Sequence, residues 1–249
     1  MPTAAASRFA LALLLGVIAA AANLVGGLTI VRRQWSRAYL RYFIALGAGF
    51  MLAAAFLEMI PESIRLTNRV TLVFVLVLAG YMLVHFFEHT IAPHFHFGEE
   101  THHEEFSPSH AGFAALLGLI IHTFFDGVAI ASGVLVSASL GAIIFIAIFL
   151  HKLPEGFTVA SIMLASGQSR RIALLSSAVL GGATLVGVGL MYVLRGQVGF
   201  ALPFSSGVTI YVAASDLVPE VNREPAAGLP LLVLLGALVM LLFRWALQL

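Results

Sequence analysis

Apolar residues fill this chain in long uninterrupted runs, and polar residues gather in the short stretches between them. A helix needs about 20 consecutive apolar residues to cross a bilayer. Eight runs approach or exceed that length: 9–31, 42–60, 70–91, 111–136, 140–164, 172–194, 198–218 and 226–247. Nothing is left over for a soluble domain. The pattern predicts an all-α, polytopic membrane protein, a single transmembrane domain over 1–249 with eight transmembrane helices and the lipid bilayer as its surroundings. The first run follows Arg8 and is rich in small residues, as a signal peptide would be. It continues well past a short apolar region, however, and carries Asn23, Gly26 and Gly27 as a packed helix does, so it is read as a span.

Composition agrees. Of 249 residues, 60% are hydrophobic and only 10% charged, and the mean hydropathy is +1.01. No water-soluble domain of this length needs so much apolar surface. A formal net charge of +1 gives no sign of a nucleic-acid partner, and the absence of cysteine removes disulfides and thiolate ligands. Any metal must therefore be held by imidazole, carboxylate or thioether. Arginines set the expected orientation. Arg32, Arg33, Arg37, Arg41, Arg170, Arg171 and Arg223 lie on one side, against Arg8, Arg65, Arg69, Arg195 and Arg244 on the other. The dense connection between the first two spans favours both termini outside the cytoplasm, with the cell membrane as the expected location.

The longest connection, 92–110, then falls in the cytoplasm. It holds His94, His96, His102, His103 and His110 among Glu99, Glu100, Glu104 and Glu105, with no lysine or arginine. Such a segment suits exchangeable divalent-metal binding, as a collector or sensor, and equally suits a solvated polar loop.

Charge inside a spanning helix costs at least about 2.5–3.5 kcal/mol per group, so these residues face the bundle interior and mark pathways or sites. The fourth span reads HTFFDGVAIAS from His122, and the fifth reads HKLPEGFTVAS from His151. The two match at His, acid, Gly, Ala and Ser, an internal repeat of the kind that builds a central transport site. His122 and Asp126 are four residues apart, about 40° around a helix, and so are His151 and Glu155. Two such helices face to face offer two imidazoles and two carboxylates to one cation, a set suited to Zn²⁺, with Cd²⁺, Fe²⁺, Mn²⁺ and Co²⁺ also admissible. Gly127 and Gly156 follow the acids and permit close helix approach. Pro154 removes an amide hydrogen and frees the Leu150 carbonyl.

HTFFDG followed by HKLPEG resembles the paired signature of the ZIP (Zrt/Irt-like protein) family of divalent metal transporters. The resemblance covers the whole chain. It implies eight spans, external termini, a His-rich cytoplasmic loop after span three, a metal site between spans four and five, and transport toward the cytoplasm. It also implies His122, Asp126, His151 and Glu155 as primary ligands, and Met51 in GFMLAAAFLEMIPES at a position that supplies a thioether in some members. In YVAASDLVPE it singles out Asp216 and Glu220 as residues that line an exit route or sit at the interface. Many members hold a second metal beside the first. Here two of its positions read Thr123 and Lys152, and span six carries no acid. The expectation is a one-metal site in which the Lys152 ammonium replaces the second cation. On the helical wheel Glu155 lies between His151 and Lys152.

Further polar residues stand near span ends. Glu58 and Glu62 flank Pro61, while His85, Glu88 and His89 form one helix face leading to the His-rich loop. Their closeness in sequence suggests a route from the central site to cytoplasmic water. The small residues of GGATLVGVG in span six suit packing within the bundle or against a second copy in a homodimer. The alternatives are an intramembrane zinc hydrolase and a metal sensor or store. The first wants three ligands, an open position and a spare base, without the HExxH this chain lacks. The second leaves the buried charges unexplained. The expected function is transport and not catalysis.

Overall fold

The computed structural model describes residues 4–32, 37–91, 108–222 and 228–247. Among them eight helices are long and apolar enough to cross a membrane: α1 (Ala6–Val31), α2 (Arg41–Thr67), α3 (Val70–Thr90), α4 (Gly112–Val136), α5 (Ala138–Ala165), α6 (Arg170–Val193), α7 (Arg195–Asn222) and α8 (Gly228–Ala246). No strand occurs among the described residues. The protein is thus the all-α, eight-span bundle that the hydropathy pattern predicts. Most of the loop between α3 and α4, including His94, His96, His102 and His103, lies outside the described residues, and the helical backbone resumes at Pro108.

Two helices run further than their apolar stretches. The sequence places the end of the second span at Ile60, but α2 continues through Pro61 to Thr67. The seventh is expected to end at Val218, but α7 passes Pro219 and reaches Asn222. A proline inside a helix removes one amide donor and crowds the preceding turn. Both helices absorb this by widening just upstream into π-helical turns, Ala55–Met59 and Val212–Leu217. Turn chemistry fixes the hairpins. Asn68 takes the left-handed conformation (φ 53°) between α2 and α3, and Gly167 (φ 83°) does so after α5. Ser137 and Ser169 cap α5 and α6 by accepting from the Leu140 and Ile172 amides.

Packing divides the bundle into two groups. Helices α1, α4, α5 and α6 pack on one another, while α2 packs on α8 and α3 on α7; the groups meet where α2 crosses α5 and α4 crosses α7. Four pairs cross at reciprocal glycines. In α1/α5, Gly26 lies on the Leu153 carbonyl and Gly156 on that of Asn23. The same relation joins Gly127 of α4 to Thr184 and Gly187 of α6 to Phe124, Gly49 of α2 to Val233 and Gly236 of α8 to Leu46, and Gly80 of α3 to Phe204 and Gly207 of α7 to Val77. In lipid there is no hydrophobic drive between helices, so close backbone approach of this kind supplies the dispersion contact that holds them.

These pairs reveal an internal repeat larger than the one between spans four and five. Exchanging α1 with α6, α2 with α7, α3 with α8 and α4 with α5 carries each pair onto another. Gly49 and Gly207 each stand nine residues before an acid, Glu58 and Asp216. The outward faces remain apolar, with Leu14, Val193 and Trp245 exposed to the surrounding lipid.

A Cβ at Gly236 would collide with the Leu46 carbonyl. Gly236→Leu is expected to separate α2 from α8 and destabilise the fold by about 1–3 kcal/mol. A thermal melt in detergent should show a midpoint lowered by several degrees; an unchanged midpoint would mean that the crossing is not tightly packed.

Candidate metal centre

Helices α4 and α5 form an antiparallel hairpin around Ser137, with Gly133 and Gly141 packed against the facing helix. This close approach lets the His and acid face of each helix meet the other. His122, Asp126, His151 and Glu155 are all buried, and one ligand atom from each lies within 4.8 Å of the others. The rings of His122 and His151 are 5.7 Å apart. His122 Nε2 lies 3.4 Å from Asp126 Oδ2 and 3.9 Å from Glu155 Oε2, and His151 Nε2 lies 3.3 Å from Asp126 Oδ2. A tetrahedral zinc with bonds near 2.1 Å needs donors about 3.4 Å apart, so modest side-chain rotation closes the set around an ion.

The imidazoles are oriented for this. His151 Nδ1 is 3.2 Å from the Ala147 carbonyl one turn back. Donating its hydrogen there leaves Nε2 with its lone pair toward the carboxylates. The fully buried His122 turns its Nε2 to the same two carboxylates. A buried imidazole facing acids at this depth suits a ligand.

Lys152 completes the cluster. It is fully buried, and its Nζ lies 2.6 Å from Asp126 Oδ2 and in contact with Glu155 Oε2. It also donates to Thr123 Oγ1 at 3.2 Å, and the Thr123 hydroxyl donates in turn to Glu155 Oε1. The sequence sets the lysine beside Glu155, one turn along, and expects it to neutralise the carboxylates; its contact with Asp126 across the helix pair depends on how α4 and α5 are rotated. The ammonium therefore bridges both carboxylates.

Met51 is fully buried in the apolar cluster where α2 meets α5, beside Ile143, Ala147, Val212 and Ala213. It stands a turn of α5 from His151. Ser132 and Ser161 close the two repeats, and the Ser161 hydroxyl donates to its own helix at the Phe157 carbonyl.

The remaining polar candidates separate into two places. Because α2 and α3 are antiparallel about Asn68, Glu58 and Glu62 lie toward one end of the bundle and His85, Glu88 and His89 toward the other. The single route suggested by their closeness in sequence is thus divided by the fold. At the α2 end, Glu58 is ion-paired with Arg244 of α8 at 3.1 Å, and Glu62 with Arg65 at 2.9 Å. At the other end, Glu88 lies in the π-helical turn Phe87–Ile91 and Asp216 in Val212–Leu217, both buried. The Tyr211 hydroxyl lies beside the Glu88 carboxylate, with the Asp216 charge close by. His85 stacks on His89 (4.2 Å) and meets Tyr211 edge-on (6.0 Å), while Tyr81 and Ser215 share a hydrogen bond of 3.0 Å. Glu220 is half-buried one turn beyond Asp216. Glu58, Glu88 and Asp216 thus all ride on π-helical turns, which aim them inward. For two of them the signal lies in the sequence: EMIPE at Glu58 and DLVPE at Asp216 share an acid, a proline three residues on and a final glutamate.

Comparison with known proteins bears on this arrangement. Residues 110–244, more than half of the chain and including both His-and-acid helices, match the family model "ZIP Zinc transporter". The chain is 34% identical over 152 residues to zinc transporter ZIP13 of Pongo abelii, a stretch covering 56% of this chain and 46% of that protein. It is 32% identical over 131 residues to zinc transporter ZIP9 of Xenopus tropicalis (45% and 43%), and 29% identical over 139 residues to zinc transporter SLC39A7 of Mus musculus (51% and 29%). The matched stretch spans less than half the length of each of these relatives. By the reach of the family model and the helices it contains, the chain belongs to the ZIP zinc transporter family.

Proposed function

We propose that this protein carries Zn²⁺ across its membrane through the cage of His122, Asp126, His151 and Glu155. The observation that carries this reading is the burial of four ligating side chains on two helices at the middle of an eight-span bundle. The relatives named above are zinc transporters, and the ligand types suit that ion. The hydrolase alternative is not favoured: the ligands are shared symmetrically by two repeats, and the base that catalysis would need is tied up with Lys152.

The cage holds one ion. Two carboxylates and the Lys152 ammonium leave the cluster with one net negative charge, and Zn²⁺ reverses it. The lysine neutralises the carboxylates between loads and competes with the arriving cation for them. From the cage the ion passes to Glu88 and Asp216, with His85, His89 and Glu220 beyond, at the end we assign to the cytoplasm from the arginine distribution. Met51 offers a thioether on the α2 side, and His94, His96, His102 and His103 collect metal at the exit. The direction, toward the cytoplasm across the cell membrane, is the one the family resemblance implies. The repeat symmetry favours alternating access by one helix group moving against the other, in a chain that works as a monomer or as a homodimer.

Reconstituted protein should take up radioactive zinc saturably into proteoliposomes, and His151→Ala/Glu155→Ala should abolish this. Competition by Cd²⁺, Fe²⁺, Mn²⁺ and Co²⁺ ranks the metals. Zinc binding at the cage without uptake by the wild type would sink the transport reading.

Lys152→Met removes a fixed charge beside both acids. Unit charges 4 Å apart interact by about 4 kcal/mol at an effective dielectric near 20. Zinc binding should therefore tighten by at least about tenfold and release should slow, as followed by calorimetry with the His151→Ala/Glu155→Ala protein as the blank. Unchanged affinity, stoichiometry and uptake would show that the lysine does not stand in for a cation.

Glu88→Gln/Asp216→Asn should lower the uptake rate severalfold and leave cage stoichiometry at one. A normal rate would remove these residues from the path.

A further inference from the structure

The internal repeat relates the two ends of the bundle, and they differ in one respect. Gly80 of α3 corresponds to Gly236 of α8, and eight residues after each stand Glu88 and Arg244. Glu58 in turn corresponds to Asp216. One end therefore pairs an acid with an acid, Asp216 with Glu88, and the other pairs an acid with a base, Glu58 with Arg244.

The base does more than neutralise. Pro61 has no amide hydrogen, so the Leu57 carbonyl four residues earlier loses its helical partner. Arg244 Nη1 donates to that carbonyl at 3.2 Å, while its Nε pairs with Glu58 Oε1 at 3.1 Å. The guanidinium thus reaches both groups at once, hydrogen-bonded to the carbonyl and ion-paired with the carboxylate. The two acceptors belong to the π-helical turn Ala55–Met59. The other side of this turn carries Ala55 and Met59, which pack with Ala129 and Ile130 of α4, Ile144 and Ile148 of α5 and Leu202 of α7. That apolar cluster lies between the metal cage and the end of the bundle where α2 turns into α3. Its members on α4 and α5 stand between the cage residues and the Ser137 hairpin, while the acidic residues stand toward the other end.

We propose that Arg244 is the latch of the closed end. By holding Glu58 and the proline-orphaned Leu57 carbonyl together, it fixes the π-helical turn whose apolar face stops the path. Opening the cage toward this end requires the turn to rewind and the guanidinium to leave. The meaning of the latch rests on the transport reading above, but its geometry and its test do not.

The chain has no native cysteine, so single introduced cysteines report accessibility cleanly. Met59→Cys places a thiol in the sealed cluster, and Ser215→Cys places one at the acidic end. Sealed vesicles of each orientation are treated with a membrane-impermeant maleimide. With Arg244 intact, Cys labelling at position 59 should be slow from the α2–α3 side. Arg244→Gln, and Glu58→Gln separately, should each speed it by at least about tenfold. Arg244→Lys should behave like Arg244→Gln, because an ammonium must serve the carbonyl and the carboxylate from a single nitrogen. Labelling at position 215 from the opposite side, and zinc binding at the cage, should not change. Labelling at position 59 that is unaffected by Arg244→Gln and Glu58→Gln would overturn the proposal. So would an equal rise at both positions, which would signal general loosening. Because neither readout uses uptake, a protein that fails to transport zinc can still pass or fail this test.

Discussion

Two carboxylates at the depth of the lipid core need a cation, and this constraint governs the centre of the molecule. Asp126 and Glu155 share the ammonium of Lys152, with the Thr123 hydroxyl filling the remaining contact. Removing one partner of a buried charge pair typically costs about 3–5 kcal/mol, because the other is left uncompensated. The cluster therefore folds as a unit. The lysine makes it tolerable at this depth and still leaves it one positive charge short of neutrality.

Such a cluster forms only if the helices that carry it approach closely and keep their rotation. Reciprocal glycines achieve this in α1/α5 and α4/α6, which hold the two ligand helices from behind. Gly127 and Gly156 follow Asp126 and Glu155 directly, so one short segment both aims a carboxylate into the central cluster and presses its backbone on the supporting helix. Packing and chemistry are coupled here within two residues.

The same repeat that makes the centre symmetric leaves the ends unlike. Prolines in α2 and α7 widen each helix into a π-helical turn and turn an acid inward. At one end that acid meets another acid, and burial together with like charge makes the place receptive to cations. At the other end it meets a guanidinium, and an apolar cluster closes behind it. A symmetric fold thereby acquires two unlike ends through one residue in each of two corresponding helices.

The sequence by itself determined the number of spans and the composition of the buried His/acid cluster. Apolar run length decides whether a segment can cross lipid, and spacing of four residues puts His122 with Asp126 and His151 with Glu155 on one face each. Those are local properties of a helix, so no partner need be known. Span ends were less legible: Pro61 and Pro219 look like stops, yet π-helical widening carries both helices through. The partners of Lys152, Glu58 and Glu88 were decided only by tertiary structure. Helix rotation brought Asp126 to the lysine, and parallel packing of α3 on α7 gathered Glu88 with Asp216. Glu58 and Glu88, close in sequence, were sent to opposite ends because α2 and α3 run antiparallel. Which charge meets which is a matter of distance in space, and in a bundle that distance is fixed by glycine crossings far from the charges themselves.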